Sequence, residues 1–415
     1  MYEEIDNFLQ NNEWDKAISL IQTEKYISTS KELLQRLGWA YSRIENYNEA
    51  IACFDKLIEI EPQMAKWHYM KGYQFYMQSK WNESIVEFLK ALELYPQYLV
   101  VKYRLAYAYL QITGTYLQYT KDTFWKALGQ LKECHTIYKD YSKEIQEKEK
   151  HTYFDICFLH GKTIQEMNNK QEEAVDLLKT ALSLKQDEDC QYQLAKTYFI
   201  MKKYDKALAM IPHHNKYYVK ELEANIYAEL GKFKESNTIL LKLVKYRKKD
   251  YIFCKLAENH LQEDKLDDAI GFAKQAINYG KNNYKNYLML GNLYYKKEQY
   301  KSAVDTLTKA SKMKMQKFQL SCPEADKLIS EILETTNNSP YDLQFDKKES
   351  IIVDYNSQKG FGFIADKEYG KIFVHISNIK NANSKDLKGK KVLYDVEKTD
   401  KGYCALNVNI KEDEE

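Results

Sequence analysis

The sequence predicts a mainly α-helical chain that ends in a small all-β domain, and three observations support this. A pattern of glycine, aromatic and proline residues recurs after 34 positions, which suits two short helices and their connections. Glycine and proline, which both disfavour helix interiors, number only 14 and 5 among 415 residues. Near the C-terminus the spacing changes, and phenylalanines alternate with other residues as they do along a β-strand.

The 34-residue period is clearest near the N-terminus. The residues Gly38, Tyr41, Tyr47, Phe54 and Pro62 are followed 34 positions later by Gly72, Phe75, Trp81, Phe88 and Pro96. Apolar residues at helical spacing lie between these positions, so each unit is predicted to form two amphipathic helices. Each proline comes after the second helix, where it prevents the helix from continuing. The sequence therefore predicts a series of helical hairpins.

These units resemble the tetratricopeptide repeat, a helix–turn–helix module of 34 residues. A small residue in the second helix marks about nine of them, as Ala17, Ala50, Ser84, Ala127, Ala174, Ala207, Ser236, Ala269 and Ala303. The resemblance implies an α-solenoid over residues 1–334, and an amphipathic segment at 323–333 is expected to cap its last unit.

The resemblance also implies a binding groove lined by the first helix of each unit. In the second, third and fourth units its predicted residues are Arg36, Trp39, Arg43, Lys66, Tyr69, Tyr73, Tyr103, Arg104 and Tyr107. Tyrosine and arginine are frequent hot-spot residues in protein recognition. The same residue types can stack on bases and neutralise phosphates, although a peptide or protein is the commoner ligand of this fold. We therefore expect a protein partner in the groove.

Two short segments near the C-terminus have strand periodicity. Residues 359–364 read KGFGFI and residues 373–376 read FVHI. Residues two apart on a strand point to the same face, so two adjacent strands would place three phenylalanines and a histidine on one surface. Ile364 and Val374 would then lie in a core. Exposed rings are costly unless a ligand covers them, and nucleic-acid bases offer a flat face for stacking.

These segments resemble the two ribonucleoprotein motifs of the cold-shock domain, a five-stranded OB-fold barrel that binds single-stranded RNA and DNA. The resemblance includes IIVDYN at 351–356, GKKVLYDV at 389–396 and KGYCALNV at 401–408. We therefore expect a cold-shock-like domain at 348–411. A polar linker at 335–347 would precede it.

The resemblance assigns nucleic-acid contacts residue by residue. The rings of Phe361, Phe363, Phe373 and His375 are expected to stack on bases, and Lys359 is expected to pair with a phosphate. We also expect Tyr355 and Tyr394 to extend this platform. The nucleic acid would be single-stranded RNA or DNA, without a preference that the sequence determines.

The match to the cold-shock motifs departs from the family pattern at three positions. Asp354 occupies the position of the family's stacking tryptophan, Ile376 that of a phenylalanine, and Tyr403 that of a proline. Loss of two rings, each worth about 1–3 kcal/mol in stacking, would weaken binding by about two orders of magnitude. The alternative is that the barrel docks a protein.

Composition excludes several other functions. With 62 basic and 60 acidic residues, the net charge of +2 does not indicate general binding to polyanions, and residues 412–415 form an acidic tail. Seven scattered cysteines include no CxxC pair, which argues against a zinc site and fits a reducing cytoplasm. The acidic N-terminus has no signal-peptide core, and no apolar run is long enough to span a bilayer.

No phosphate-binding glycine loop, nucleophile elbow or paired-carboxylate motif occurs, so the sequence predicts neither an enzyme nor a cofactor or metal site. We expect a non-enzymatic cytoplasmic adaptor that binds a protein through its repeats and single-stranded nucleic acid through its barrel. The alternative is a protein–protein scaffold in a multi-component complex, such as a stress or antiviral defence system, in which a partner carries the catalysis.

Overall fold

The computed structural model describes residues 1–24, 29–113, 120–213, 216–336, 348–380, 387–399 and 402–411. The helices in these residues are α1 (Tyr2–Gln10), α2 (Trp14–Gln22), α3 (Lys31–Arg43), α4 (Tyr47–Ile60), α5 (Ala65–Met77), α6 (Trp81–Leu94), α7 (Leu99–Thr113), α8 (Thr120–Asp140), α9 (Lys143–Ile164), α10 (Gln171–Leu184), α11 (Glu188–Ile200), α12 (Tyr204–Ala209), α13 (Tyr217–Glu229), α14 (Phe233–Tyr246), α15 (Asp250–Gln262), α16 (Leu266–Tyr279), α17 (Tyr284–Lys296), α18 (Tyr300–Phe318) and α19 (Pro323–Thr336).

In chain order these helices form nine helix–turn–helix pairs followed by α19, which confirms the predicted solenoid class and its number of units. The chain divides into two compact units, Met1–Ile226 and Tyr227–Glu415. In the first unit α3 packs on α4 and α5 on α6, and in the second α15 packs on α16 and α17 on α18. Of the predicted linker, residues 337–347 lie outside the described residues, as does the acidic tail at 412–415.

Small residues allow the two helices of a pair to approach closely. All nine marker residues, seven alanines together with Ser84 and Ser236, are fully buried, as their role in the repeat requires. Glycines on the first helix play the matching part. A Cβ atom on Gly72 would lie 2.8 Å from the Phe88 ring, and one on Gly291 would lie 2.6 Å from Cγ of Leu307. The helices therefore pack where side chains are absent or smallest.

In eight of the nine pairs the turn between the two helices has the same backbone shape. Two residues before the second helix, one residue adopts a left-handed conformation with φ between 57° and 73°. These residues are Asn12, Glu45, Ser79, Asn169, Lys202, Gly231, Asp264 and Glu298. The following N–H often donates to the carbonyl five residues earlier, as from Asn46 to Tyr41 at 2.9 Å. The turn of the fourth pair contains residues 114–119, which lie outside the described chain.

The C-terminal domain is a closed β-barrel. Its strands are β1 (Lys348–Asn356), β2 (Phe361–Asp366), β3 (Gly370–His375), β4 (Ile379–Lys380), β5 (Lys391–Thr399) and β6 (Gly402–Ile410). They are ordered β3-β2-β1-β5-β6-β4, and a parallel pairing of β3 with β6 closes the barrel. The five long strands confirm the predicted five-stranded barrel, and β4 adds a pairing of only two residues beside β6.

The barrel core follows the strand alternation. Ile364 and Val374 are fully buried, as predicted, and pack with Ile352, Ile372 and Val392. Because Ile364 and Val374 face inward, Phe361, Phe363, Phe373 and His375, which alternate with them along β2 and β3, face outward.

Candidate nucleic-acid interface and repeat groove

The four residues predicted to stack on bases lie together on adjacent strands. Phe361 pairs with His375 and Phe363 with Phe373 across β2 and β3. The ring centroids of Phe361 and Phe373 are 5.7 Å apart, and those of Phe363 and Phe373 are 6.0 Å apart. Phe373 retains 39% of its accessible surface. The rings thus form one continuous surface, called the aromatic platform below, with a face open to solvent.

The glycines of KGFGFI shape the strand that carries these rings. A Cβ on Gly362 would lie 2.3 Å from the Asp354 carbonyl oxygen and 2.9 Å from the Tyr355 ring, so only glycine lets β1 approach β2 here. Gly360 has a φ of +66° in the β1–β2 turn, a conformation that glycine adopts without strain. These two positions bring Phe361 and Phe363 into register with β3.

Lys359 and His375 place polar groups at one end of the aromatic platform. Lys359 is exposed in the turn, where its backbone N–H donates to the Oδ1 of Asn356 at 3.0 Å. The backbone N–H of Ser377 donates to Nδ1 of His375 at 3.3 Å, so Nδ1 is an acceptor and the neutral ring carries its proton on Nε2. An ammonium group and an N–H donor are therefore available to a phosphate or a base.

Two residues predicted to extend the platform do not lie on it. Tyr394 is 1% exposed in the barrel core, and its hydroxyl donates to Oδ2 of Asp366 at 2.7 Å. Tyr355 pairs with Gly362 and packs against the core, because a β-bulge between Ile352 and Asp354 reverses the faces of the residues that follow. Both predictions were wrong.

The same bulge turns Asp354 outward. Asp354 pairs with Phe363 and is exposed, so its carboxylate shares the face of the rings where the family pattern has tryptophan. Ile376, which replaces a phenylalanine of the family pattern, is 40% exposed. The structure thus places both departures at the surface.

The first group of predicted groove residues surrounds a pocket of about 520 Å³ between α1, α3 and α5. Arg36, Trp39 and Lys66 line it, together with Trp67 and Met70. The Arg36 guanidinium is already engaged, because it donates two hydrogen bonds to the Asp6 carboxylate at 2.7 and 2.8 Å.

Arg43 lies beside this pocket. Its guanidinium lies 5.4 Å from the ring centroid of Trp14, and that ring meets Trp39 edge to face at 5.1 Å. Trp39 is 40% exposed, so this end of the groove presents indole surface, and Arg43 packs against the neighbouring indole of Trp14.

The second group surrounds Arg104 on α7. Its guanidinium carbon lies 4.4 Å from the centroid of Tyr73 and 5.3 Å from that of Tyr76, and its Nε donates to the Tyr69 hydroxyl at 3.2 Å. The ring centroids of Tyr76 and Tyr107 are in turn 5.5 Å apart. Within the described residues no carboxylate lies at ion-pair distance from Arg104. The cluster therefore holds a cation with tyrosine rings rather than with an acidic side chain.

Several predicted groove tyrosines also serve as packing residues. Tyr69 packs against the core formed by Phe88 and Leu105, and Tyr103 against the core between α7, α8 and α9. Burial raises the pKa of both hydroxyls. Tyr69 and Tyr103 are half-buried, so they offer a partner less surface than Trp39 does.

The sequence predicts groove residues only in the second, third and fourth units. Two pockets lie in later units, where the sequence was not used to predict a site. One of about 410 Å³ is lined by residues that include Tyr192, Lys196, Phe199 and Tyr218. Another of about 360 Å³ lies along α17 and includes Leu288. The signal was available, since aromatic and basic residues also recur on these first helices.

In the described ranges, no group of three or more histidine, cysteine or acidic side chains is arranged to hold a metal ion. No helix within them is long and apolar enough to cross a membrane. None of the seven cysteines, all of which lie in the described ranges, forms a disulfide bond.

The barrel residues match a known domain family. Residues 349–411 match the family model of the 'Cold-shock' DNA-binding domain. Over 62 residues the chain is 42% identical to Cold shock protein 2 of Lactiplantibacillus plantarum, a match that covers 15% of this chain and 94% of that protein. It is 44% identical over 55 residues to Cold shock protein CspC of Bacillus subtilis, a match that covers 13% of this chain and 83% of that protein.

The helical part matches repeat proteins. Residues 31–64 and 284–314 match the tetratricopeptide repeat model. Among solved structures, a tetratricopeptide repeat protein from Parabacteroides merdae is 15% identical with a TM-score of 0.41, over 63% of this chain and 97% of that one. YrrB, described as a TPR protein with an unusual peptide-binding site, is 16% identical with a TM-score of 0.36. That match covers 46% of this chain and 99% of the YrrB chain.

Proposed function

Because the chain belongs to the cold-shock-domain family through residues 349–411 and carries tetratricopeptide repeats before them, we propose that it is a non-enzymatic cytoplasmic adaptor. Its barrel binds single-stranded RNA or DNA, and its repeats bind a protein or peptide. The lack of a disulfide bond among the seven described cysteines supports a reducing compartment. Both domain types usually bind rather than catalyse, and the adaptor role combines their two kinds of ligand.

The aromatic platform carries the nucleic-acid part of this proposal. Three phenylalanine rings contact one another on the outer face of β2 and β3. A core would bury them, yet Phe373 stays 39% exposed. Single-stranded nucleic acid supplies flat rings at a spacing that such a surface accepts, and stacking tolerates any base.

The charge of the barrel supports the same ligand. Residues 348–411 contain 12 lysines and 8 acidic residues, a local excess that the net charge of the chain conceals. Lys359 is exposed next to Phe361, where a phosphate of a stacked strand would pass. Phosphate contacts of this kind supply affinity that falls with salt concentration.

Removal of two platform rings tests the proposal directly. The Phe361→Ala/Phe373→Ala variant should bind a pyrimidine-rich oligonucleotide at least about tenfold more weakly in fluorescence anisotropy, since each stacked base contributes about 1–3 kcal/mol. Both rings lie at the surface, so the variant should stay folded. Tyr246→Ala, which removes a ring that is 92% exposed in α14, is the matched control and should bind normally. Equal affinity of the double variant and the native chain would refute the proposal.

The groove supports the protein part of the proposal. Trp39, Lys66 and Met70 combine aromatic, basic and apolar side chains in one pocket, which is the mixture found at protein hot spots. A pull-down from native cells with and without nuclease separates the two kinds of partner. A protein bound through the groove should persist after nuclease treatment, whereas one bridged by nucleic acid should be lost.

A second candidate function is a protein-only scaffold within a multi-component complex, such as a stress or antiviral defence system. The exposed Asp354 and Ile376, where the family pattern has rings, favour it. A salt titration of barrel binding discriminates between the two. A steep loss of affinity between 50 and 200 mM salt indicates phosphate contacts, whereas a shallow dependence favours a protein ligand.

A further inference from the structure

Asp354 lies on the face of the barrel that carries the aromatic platform, and it is acidic where the platform residues are rings. Its Cα is paired with that of Phe363, which is paired in turn with Phe373, so the three residues form one row across β1, β2 and β3. Side chains paired in this way have Cβ atoms about 4.5–5.5 Å apart and share a face. A carboxylate therefore lies beside two of the stacking rings.

This carboxylate has no partner within the part of the chain that the structure describes. Across the described ranges, no cation or hydrogen-bond donor contacts the Asp354 side chain, which is exposed. Glu349 on the same strand differs, because Nζ of Lys411 pairs with it at 2.9 Å. Asp354 is thus an acceptor that is open to a ligand on the platform.

The two ends of the platform have opposite polarity. The next row across the strands contains Asn356, Phe361 and His375. The exposed Lys359 adjoins it, and Nε2 of His375 supplies a donor. Phosphates are attracted to that end and repelled from Asp354. A base that stacks on Phe363 or Phe373 therefore turns its edge, rather than its phosphate, toward the carboxylate.

The bases differ in what their edges offer to a carboxylate. Guanine presents two adjacent donors, N1–H and N2–H, which two carboxylate oxygens can accept together. Cytosine and adenine present one amino group each. Thymine and uracil present a single N–H flanked by two carbonyl oxygens, which repel a carboxylate.

We propose that Asp354 makes the barrel selective for guanine at the position that stacks on Phe363 and Phe373. The proposal rests on the proposed nucleic-acid function and adds the base that this site prefers. Sequence-tolerant stacking supplies the affinity, and the carboxylate supplies the discrimination. The substitution of tryptophan by aspartate then replaces one stacking position with a base-reading position.

Fluorescence anisotropy with the full chain and three heptamers tests this. One heptamer is all thymidine, one has a central guanine, and one has inosine there, which lacks the N2 amino group. We expect the guanine heptamer to bind about tenfold more tightly than the thymidine heptamer, as a bidentate base contact allows. Inosine should be intermediate, because it retains one of the two donors.

Variants separate base reading from general charge. Asp354→Asn keeps the shape with one acceptor, and should reduce the preference for guanine to about twofold or less. Glu349→Gln removes the same charge elsewhere on β1 and should leave the preference intact. Asp354→Trp should bind the thymidine heptamer about tenfold more tightly and lose the preference, since a stacking ring replaces the carboxylate.

Two results would overturn the inference. One is equal binding of the guanine and thymidine heptamers by the native chain, and the other is an unchanged preference in Asp354→Asn. If the native chain bound none of the three heptamers, the proposed nucleic-acid function itself would be refuted, and the inference with it.

Discussion

The barrel and the repeats both contain clusters of aromatic rings, but the rings are held differently. On the barrel, Phe361, Phe363 and Phe373 contact one another and leave a common face open. In the repeats, Tyr73 and Tyr76 pack around Arg104. The first cluster lies outside the barrel core, whereas the second is part of the packing between helices.

The difference follows from the two backbones. A strand assigns alternate residues to opposite faces, so a ring is either inside or outside the barrel. A helix distributes its residues around a circle, so a large ring often lies at the boundary and contacts both the core and the groove. Binding and stability are therefore separable on the barrel and coupled in the repeats.

The largest effect is expected from Gly362→Ala, which should destabilise the barrel and leave the repeats unchanged. The added Cβ would lie 2.3 Å from a backbone oxygen of β1, which cannot move aside as a side chain can. We expect a loss of about 3 kcal/mol in the free energy of unfolding of the barrel, and loss of oligonucleotide binding.

Tryptophan fluorescence provides the internal control for this variant. All five tryptophans lie between residues 14 and 125, so their unfolding curve reports on the repeats and should not change. Gly370→Ala, where nothing lies within 4 Å of the new Cβ but φ is +76°, should cost less, about 1–2 kcal/mol. Normal oligonucleotide binding by Gly362→Ala would contradict the packing described for β1 and β2.

A smaller effect is expected from Arg104→Met, which tests whether ring clusters in the repeats are structural. The change removes two cation–π contacts and the hydrogen bond to Tyr69, so the repeats should lose about 2 kcal/mol of stability. Denaturant unfolding followed by tryptophan fluorescence measures this. Phe361→Ala is the matched barrel variant, and hydrogen exchange of peptides from residues 348–411 should show that the stability of the barrel is unchanged. An equally small effect of both variants would remove the contrast between the clusters.

The smallest effect is expected from Tyr394→Phe, which separates barrel stability from binding. The variant removes one donor to Asp366 and should destabilise the barrel by about 1 kcal/mol, measured by hydrogen exchange of peptides from residues 348–411. Oligonucleotide affinity should stay normal, because Tyr394 lies in the core. Weaker oligonucleotide binding by a folded Tyr394→Phe variant would indicate that Tyr394 belongs to the binding interface.

Low pH should weaken the same contact, the hydrogen bond between Tyr394 and Asp366. Although burial alone would raise it, hydrogen bonds from the Tyr369 backbone, the Tyr394 hydroxyl, the Glu368 backbone and Lys348 lower the pKa of Asp366 to about 2. The unfolded value is about 3.9. Since the folded pKa is the lower one, this stabilisation is present above pH 4 and is lost as the pH falls toward 2. Tyr394→Phe should reduce that acid sensitivity of the barrel.

The sequence was sufficient to predict the helix pairs, the barrel and the common face of Phe361, Phe363, Phe373 and His375, because periodicity and motif determine them. It failed for Tyr355, since a bulge after Ile352 reverses the faces and leaves no mark in the alternation. Tyr394 could have been placed inside, because it lies two residues from the apolar Val392 and so shares the face of that residue. The groove was harder to predict, since helical spacing does not show whether Tyr69 serves packing or a partner.

The left-handed turn within the helix pairs has a practical consequence. Its residue is exposed in all eight described cases and is glycine only as Gly231, because backbone hydrogen bonds rather than the side chain determine its shape. Most native thiols are buried, with only Cys254 and Cys404 partly accessible. A single cysteine introduced at Ser79, Lys202 or Glu298 would therefore carry a dye at an equivalent place in each chosen unit. The array thus contains built-in attachment points for following its units one at a time.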